Sequence, residues 1–200
     1  YQELLGIPVD MNEVYGKLYN NALNGDTDCG GLISYNYISG EPLTGLSEGR
    51  PLFVRSANDK FNLANFIRTH LYASVGVVKL GNDILFNDEK VRVDRITGHG
   101  GLFKTKGVGQ RILAAAINSP ISVMETAGEG GAWGIALLAS YLVNNTNKQS
   151  LADYLDEVVF AGDAGVEIKP TKEDVAGFNK YIENYKACLA IEEAAVKAKN

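Results

Sequence analysis

Apolar side chains recur at helical spacing over residues 12–23, where Val14, Leu18 and Ala22 line one side with Tyr15 and Tyr19 beside them. Asn24-Gly25-Asp26 ends that run, so a helix is predicted there. Residues 31–38 alternate and are rich in Ile and Tyr, which predicts a strand running into the turn Ser39-Gly40-Glu41-Pro42. Turn formers then dominate to about Lys60 and periodicity is lost, as in the long loops that often carry function. From Asn62 a helical pattern returns through Leu63, Phe66, Ile67, Leu71, Val75 and Val78 towards Leu85. It predicts one long amphipathic helix that packs on a sheet.

The following pattern occurs twice. Residues 91–97 alternate as a short strand, run into Gly98-His99-Gly100-Gly101, and give way to helical periodicity over 107–118 through Val108, Ile112, Leu113 and Ala116. Residues 121–124 form a second apolar strand, followed by Glu125-Thr126-Ala127-Gly128-Glu129-Gly130-Gly131 and an apolar helix over 132–142. A last helix opens at Thr171-Lys172-Glu173-Asp174, with Phe178, Ile182, Tyr185 and Leu189 on one side. Glu192, Glu193, Lys197 and Lys199 read as its solvated end. No linker divides the chain, so residues 1–200 are expected to form one domain.

Composition narrows the field. A hydrophobic share of 46% in 200 residues is enough for a sizeable core. A net charge of -5 without a basic stripe argues against a nucleic-acid partner. The apolar runs near residues 71–80 and 132–143 are interrupted and too short for a bilayer, so no membrane partner is expected. Cys29 and Cys188 are too few and too far apart for a disulfide framework and read as reduced thiols of a cytoplasmic protein. The sequon Asn144-Asn145-Thr146 matters only in a secreted protein, which nothing else supports. Tyr1 is not a natural start, and the chain reads as a piece of a longer protein.

Candidate chemistry concentrates in 98–134. A helix that begins after a strand and a glycine turn presents unpaired backbone N–H groups and a positive dipole end, and glycine lets a ligand approach the backbone. Two such turns can face one nucleotide, with Lys104 and Lys106 as phosphate partners and Phe103 beside the base. The structural alternative is that Gly100 and Gly101 need positive φ and that Gly130 and Gly131 start a close-packed helix. Gly-His-Gly-Gly-Leu-Phe does not fit a dinucleotide fingerprint. His99 is either a general base or a residue held by local hydrogen bonds, and His70 reads as a half-buried packing residue. Two histidines without ligand spacing predict no protein-held transition metal. Glu41 and Glu129, each in a glycine-flanked turn, could orient a substrate or hydrated Mg²⁺, or cap the neighbouring turn.

Laid end to end, these segments resemble the C-terminal domain of the FGGY family of carbohydrate kinases. Tyr35-Asn36-Tyr37-Ile38-Ser39-Gly40-Glu41 is similar to the family's aromatic strand ending in Ser-Gly-Glu. Lys60-Phe61-Asn62-Leu63 through Arg68 to Leu71 resembles its signature loop and long helix. Thr97-Gly98-His99-Gly100-Gly101 stands where the family has its triple-glycine adenosine motif, with Gln110-Arg111-Ile112-Leu113-Ala114 as the helix behind it. Met124-Glu125 and Glu129-Gly130-Gly131-Ala132-Trp133-Gly134-Ile135-Ala136 resemble the closing segment. There are departures. His99 breaks the triple glycine, Lys104 and Thr105 are displaced by a small insertion, and Pro42-Leu43-Thr44 replaces Arg-Thr-Pro.

The resemblance implies an α/β fold of the actin-like ATPase (ribonuclease-H-like) class, forming the C-terminal half of a two-domain sugar kinase. It implies ATP and Mg²⁺, with Gly98, Gly100, Gly101, Lys104, Thr105 and Glu129 at the nucleotide. It also implies a sugar substrate, D-xylulose first and L-ribulose or another sugar second. The family's catalytic Asp, its Gly-Thr-Ser phosphate loop and its Asp-Gly-Thr motif precede the position matching Tyr1. No catalytic residue is therefore expected in this chain, which alone should be inactive. An N-terminal sugar-binding domain is then the missing partner, and the apolar face left without it keeps a homodimer open. A non-catalytic actin-like regulatory domain is the alternative.

Overall fold

The computed structural model describes residues 3, 6–145, 148–161 and 165–198, without the side chains of Thr126 and Glu129. Thr146 of the sequon and Lys199 lie outside the described residues. Helix α1 (Met11–Ala22) starts at Asp10, whose side chain accepts from Asn12 N, and its inner end buries Ala22. A turn at Cys29–Gly31 leads into β1 (Ile33–Tyr35), shorter than the predicted strand, which pairs antiparallel with β2 (Leu52–Val54). β2 lies inside the stretch expected to be one long loop, so that expectation is corrected. Between the two strands, Glu41 accepts from Leu43 N at 3.0 Å and caps the short turn Pro42–Thr44.

The long helix is α2 (Leu63–Asp83), opened by Asn62, whose side chain accepts from Asn65 N at 2.9 Å. It packs on the β1–β2 hairpin, where Thr69 donates to Leu32 O at 2.9 Å. His70, expected to be a partly buried packing residue, has an exposed side on α2. Its Nδ1 still lies 3.0 Å from Ser34 Oγ and its ring meets Phe66 edge to face, and partial desolvation there holds the imidazole pKa below its ordinary value.

A second sheet is ordered β3 (Ile96–Thr97), β4 (Ile121–Val123), β5 (Val166–Ile168), with β3 parallel and β5 antiparallel to β4. β3 keeps only two of the seven residues predicted for it. Val91 and Val93 alternate as a strand would, yet both are exposed. Helix α3 (Val108–Ile117) follows β3, and α4 (Gly130–Asn144) follows β4. A short helix, α5 (Leu151–Tyr154), precedes β5.

The tail forms two helices rather than one, α6 (Lys172–Ala187) and α7 (Leu189–Ala198), interrupted at Cys188. Glu192 is fully buried rather than solvated, and its Oε1 accepts the Arg50 backbone N–H. The core lies where α2, α3, α6 and β1 converge, through Tyr35, Tyr72, Val75, Ile112, Phe178, Tyr181 and Tyr185. Burying each such side chain contributes about 1.5–3 kcal/mol.

One buried ionic joint fixes these helices. Arg68 of α2 is 1% exposed and reaches Asp174 of α6 at 3.0 Å, the Tyr72 hydroxyl at 2.9 Å and Gly25 O at 3.1 Å. Arg111 of α3 reaches Asp174 from the other side at 2.7 Å. Thr171 caps α6 by accepting from Asp174 N and donating to its carboxylate.

Candidate functional site

The two glycine turns meet. Strand β3 ends by placing Gly98 N 2.9 Å from Ser122 O of β4. A Cβ at Gly98 would stand 2.4 Å from the Phe103 ring, so any larger residue there would have to displace that ring. Gly100 takes a φ of 107°, which favours glycine, and its N–H donates to Ala127 O of the second turn at 2.7 Å. Gly101 to Phe103 then make one tight turn, and Gly107, with φ 80°, opens α3.

The second turn is Glu125–Glu129, followed by α4. A Cβ at Gly130 would stand 2.8 Å from His99 Nδ1, so this glycine is what lets the His99 ring rest on the start of α4. A Cβ at Gly128 would lie 3.2 Å from Lys104 Cγ, so the Lys104 stem runs across the second turn. Gly101 and Gly131 have open space at the Cβ position and no positive φ, so neither is glycine for the steric reasons that sequence offers.

Beside the first turn lies a cleft of about 1160 Å³. One wall is the turn and the start of α3, with Gly101, Phe103, Lys104, Thr105 and Lys106. A second is α1, with Asn12, Tyr15 and Tyr19, whose rings meet edge to face at 5.9 Å. The floor is Val123, Met124 and Gly128, and the far side is Val166 and Ile168 of β5. Lys104 and Lys106 give the cleft a positive rim, and Glu125 adds a carboxylate. The arrangement offers aromatic faces for a flat ring, an open backbone at Gly101, and ammonium groups for an anionic end.

Of the predicted contacts, Gly101, Lys104 and Thr105 line this cleft. Gly98 is buried in the sheet, and Gly98 and Gly100 are not among the cleft residues. The Glu129 side chain lies outside the described residues. Sequence reasoning missed the α1 tyrosines and β5. It also missed Gln110, which is 5% exposed and bridges Ile121 O and Val166 O, holding β5 against β4. The tyrosines carried a signal, since Tyr15 and Tyr19 stand one helical turn apart next to the apolar stripe. Among the described residues no three His, Cys, Asp or Glu side chains converge to hold a metal ion. No described helix is long and apolar enough to cross a membrane.

A strand, glycine turn and helix repeat around a parallel pair, with α2 packed on α3 and β1, and the likeness to solved structures places the fold in the actin-like ATPase class. The solved structures it resembles are kinases. A gluconate kinase from Lactobacillus acidophilus and a ligand-bound xylulose kinase from the same organism each superpose with a TM-score of 0.66 at 20% identity, over 87% of this chain and 34% of theirs. A glycerol kinase from Plasmodium falciparum, solved with ADP, gives 0.63 at 18% identity over 88% of this chain and 33% of its own. The chain thus spans about a third of the length of the structures it matches. Among curated proteins none matches. Residues 9–143 match the FGGY family of carbohydrate kinases, C-terminal domain, and the chain belongs to that family.

Proposed function

We propose that this chain is the nucleotide-binding part of an ATP-dependent sugar kinase, a cytoplasmic enzyme whose sugar-binding N-terminal domain and catalytic Asp lie outside residues 1–200. The observation that carries the reading is the cleft beside the first glycine turn, where Gly101, Lys104 and Thr105 face Tyr15 and Tyr19. Within this reading the adenosine lies along the open Gly101 backbone, and Lys104 offers its ammonium to the phosphates. Gly98 and Gly100 act one step back by shaping the turn, and Glu129 ends the second turn just before α4. Mg²⁺ travels with the nucleotide phosphates and neutralises charge in phosphoryl transfer. The transfer itself needs the domain that is not part of this chain. D-xylulose is the first choice of substrate, with L-ribulose or another sugar the second.

Gly101→Trp fills the cleft without strain in the turn, because open space surrounds that position. In the full-length protein it should weaken ATP binding by about tenfold or more, roughly 1.4 kcal/mol, while sugar binding stays within twofold. Calorimetry with each ligand decides it, and unchanged ATP affinity would refute the adenosine assignment. A panel of ketopentoses, gluconate and glycerol on the same protein ranks the acceptors. Turnover of none of them would favour a non-catalytic regulatory domain.

A further inference from the structure

Helix α1 sorts its side chains by charge. Glu13 and Lys17 stand one turn apart, are exposed, and pair with each other at 2.6 Å. Asn12, Tyr15 and Tyr19, spaced i, i+3 and i+7, share a different side of the helix and line the cleft. None of these three is charged, whereas the wall built by the first glycine turn carries Lys104 and Lys106. The cleft is therefore cationic along one wall and aromatic and amide-bearing along another. Tyr19 is partly buried against the core, and Tyr15, 49% exposed, meets its ring edge to face at 5.9 Å. An exposed ring braced by an anchored one is a preorganised stacking surface, with little freedom left to lose when a ligand lands on it. Asn12 spends its backbone N–H on Asp10, and among the described residues nothing takes its side-chain amide.

We propose that α1 selects the nucleobase: the Tyr15 ring stacks on a purine, and the Asn12 amide donates to N7 and accepts from the N6 amino group, so that adenine is taken in preference to guanine. The division of the cleft orients the ligand, with the anionic end at the lysines and the flat uncharged end at α1. A volume of about 1160 Å³ leaves room for base, ribose and phosphates between those walls, since ordinary small-molecule sites occupy roughly 300–1,000 Å³. The discrimination follows from the edges of the bases. Adenine offers one donor and one acceptor at N6 and N7, which a single amide satisfies at once. Guanine offers two acceptors, O6 and N7, and the amide carbonyl is left facing one of them. The proposal rests on the adenosine reading above and adds to it the residues that choose the base.

The test is calorimetry on the full-length protein with ATP, GTP and inorganic tripolyphosphate. The parent should bind ATP about tenfold or more tighter than GTP, and Asn12→Ala should bring the two within about threefold. Tyr15→Ala should weaken both nucleotides about tenfold, while Tyr15→Phe, which keeps the ring, binds them as the parent does. Tripolyphosphate, which has no base, should bind all of these proteins alike. A parent without preference for ATP, a preference unchanged in Asn12→Ala, or nucleotide affinities unchanged in Tyr15→Ala would overturn the proposal. An equal loss of tripolyphosphate would overturn it too, because the damage would then lie in the cleft and not at the base. Gly101→Trp separates the two levels. If it weakens ATP binding while both α1 variants bind like the parent, the base lies elsewhere and only this proposal falls; if it leaves ATP binding unchanged, the adenosine reading falls and takes the proposal with it.

Discussion

A single carboxylate decides much at the residue scale. Asp174 is 1% exposed and accepts hydrogen bonds from Arg111, Arg68 and Thr171. Burial alone would raise its pKa, but the Arg111 and Thr171 hydrogen bonds and the two guanidinium charges outweigh it, and the net shift is downward. A carboxylate with a depressed folded-state pKa contributes stability above its unfolded value near 3.9, and that contribution is lost as the pH falls through the folded value. Asp174→Ala removes the partner from Arg68, which stays buried, so it should cost about 3–5 kcal/mol in urea unfolding at pH 7. The gap between parent and variant should narrow below about pH 4. A loss under about 1 kcal/mol, or a gap unchanged to pH 2, would show that the joint is not what holds α2, α3 and α6. Glu192 teaches the limit of local reading. Its neighbours Glu193 and Lys197 suggest a solvated end, yet it is buried where it meets the Arg50 N–H, 142 positions away.

Elements whose signal is local were legible, and those that depend on pairing were not. α1, α2, α3 and α4 stand where helical spacing placed them, because a helix satisfies its own backbone. The start of α6 at Thr171 was legible too, and α2 is capped by Asn62. Asn62→Ala should cost about 1 kcal/mol of stability by removing the acceptor for Asn65 N, measured as a lower urea midpoint at unchanged slope. An unshifted midpoint would mean that the N-terminus of α2 is held by packing alone. Strands fared worse. Leu52–Val54 is half-buried and set among turn formers, and nothing local says that it pairs with Ile33–Tyr35. Val91 and Val93 alternate like a strand but lie exposed outside β3. The same division holds at the candidate site. The order strand, glycine turn, helix announced that two turns would meet, and Gly100 bonded to Ala127 shows that they do. The α1 and β5 walls of the cleft are tertiary, and the sequence had no local mark for them beyond the tyrosine pair.

For the molecule as a whole, the core is closed from its far end. Phe178, Tyr181 and Tyr185 of α6 fill the space between α2, α3 and β1. A chain ending at residue 170 should therefore keep helical circular dichroism but lose cooperative unfolding and bind a hydrophobic dye. Cooperative melting of that truncated chain would refute this account of the core. The chain covers 34% of the length of the gluconate kinase it resembles, and the activity proposed above is that of a larger protein. The placement of α6 also has a consequence for synthesis. About a hundred residues separate Tyr72 from the aromatic side chains that cover it, so at 5–20 residues per second the nascent chain carries α2 uncovered for roughly 5–20 seconds. During that interval the Tyr72 and Val75 face of α2 is a target for chaperones and for other nascent chains. A slowly translated stretch before residue 178 would therefore lower the soluble yield of the protein without changing any residue.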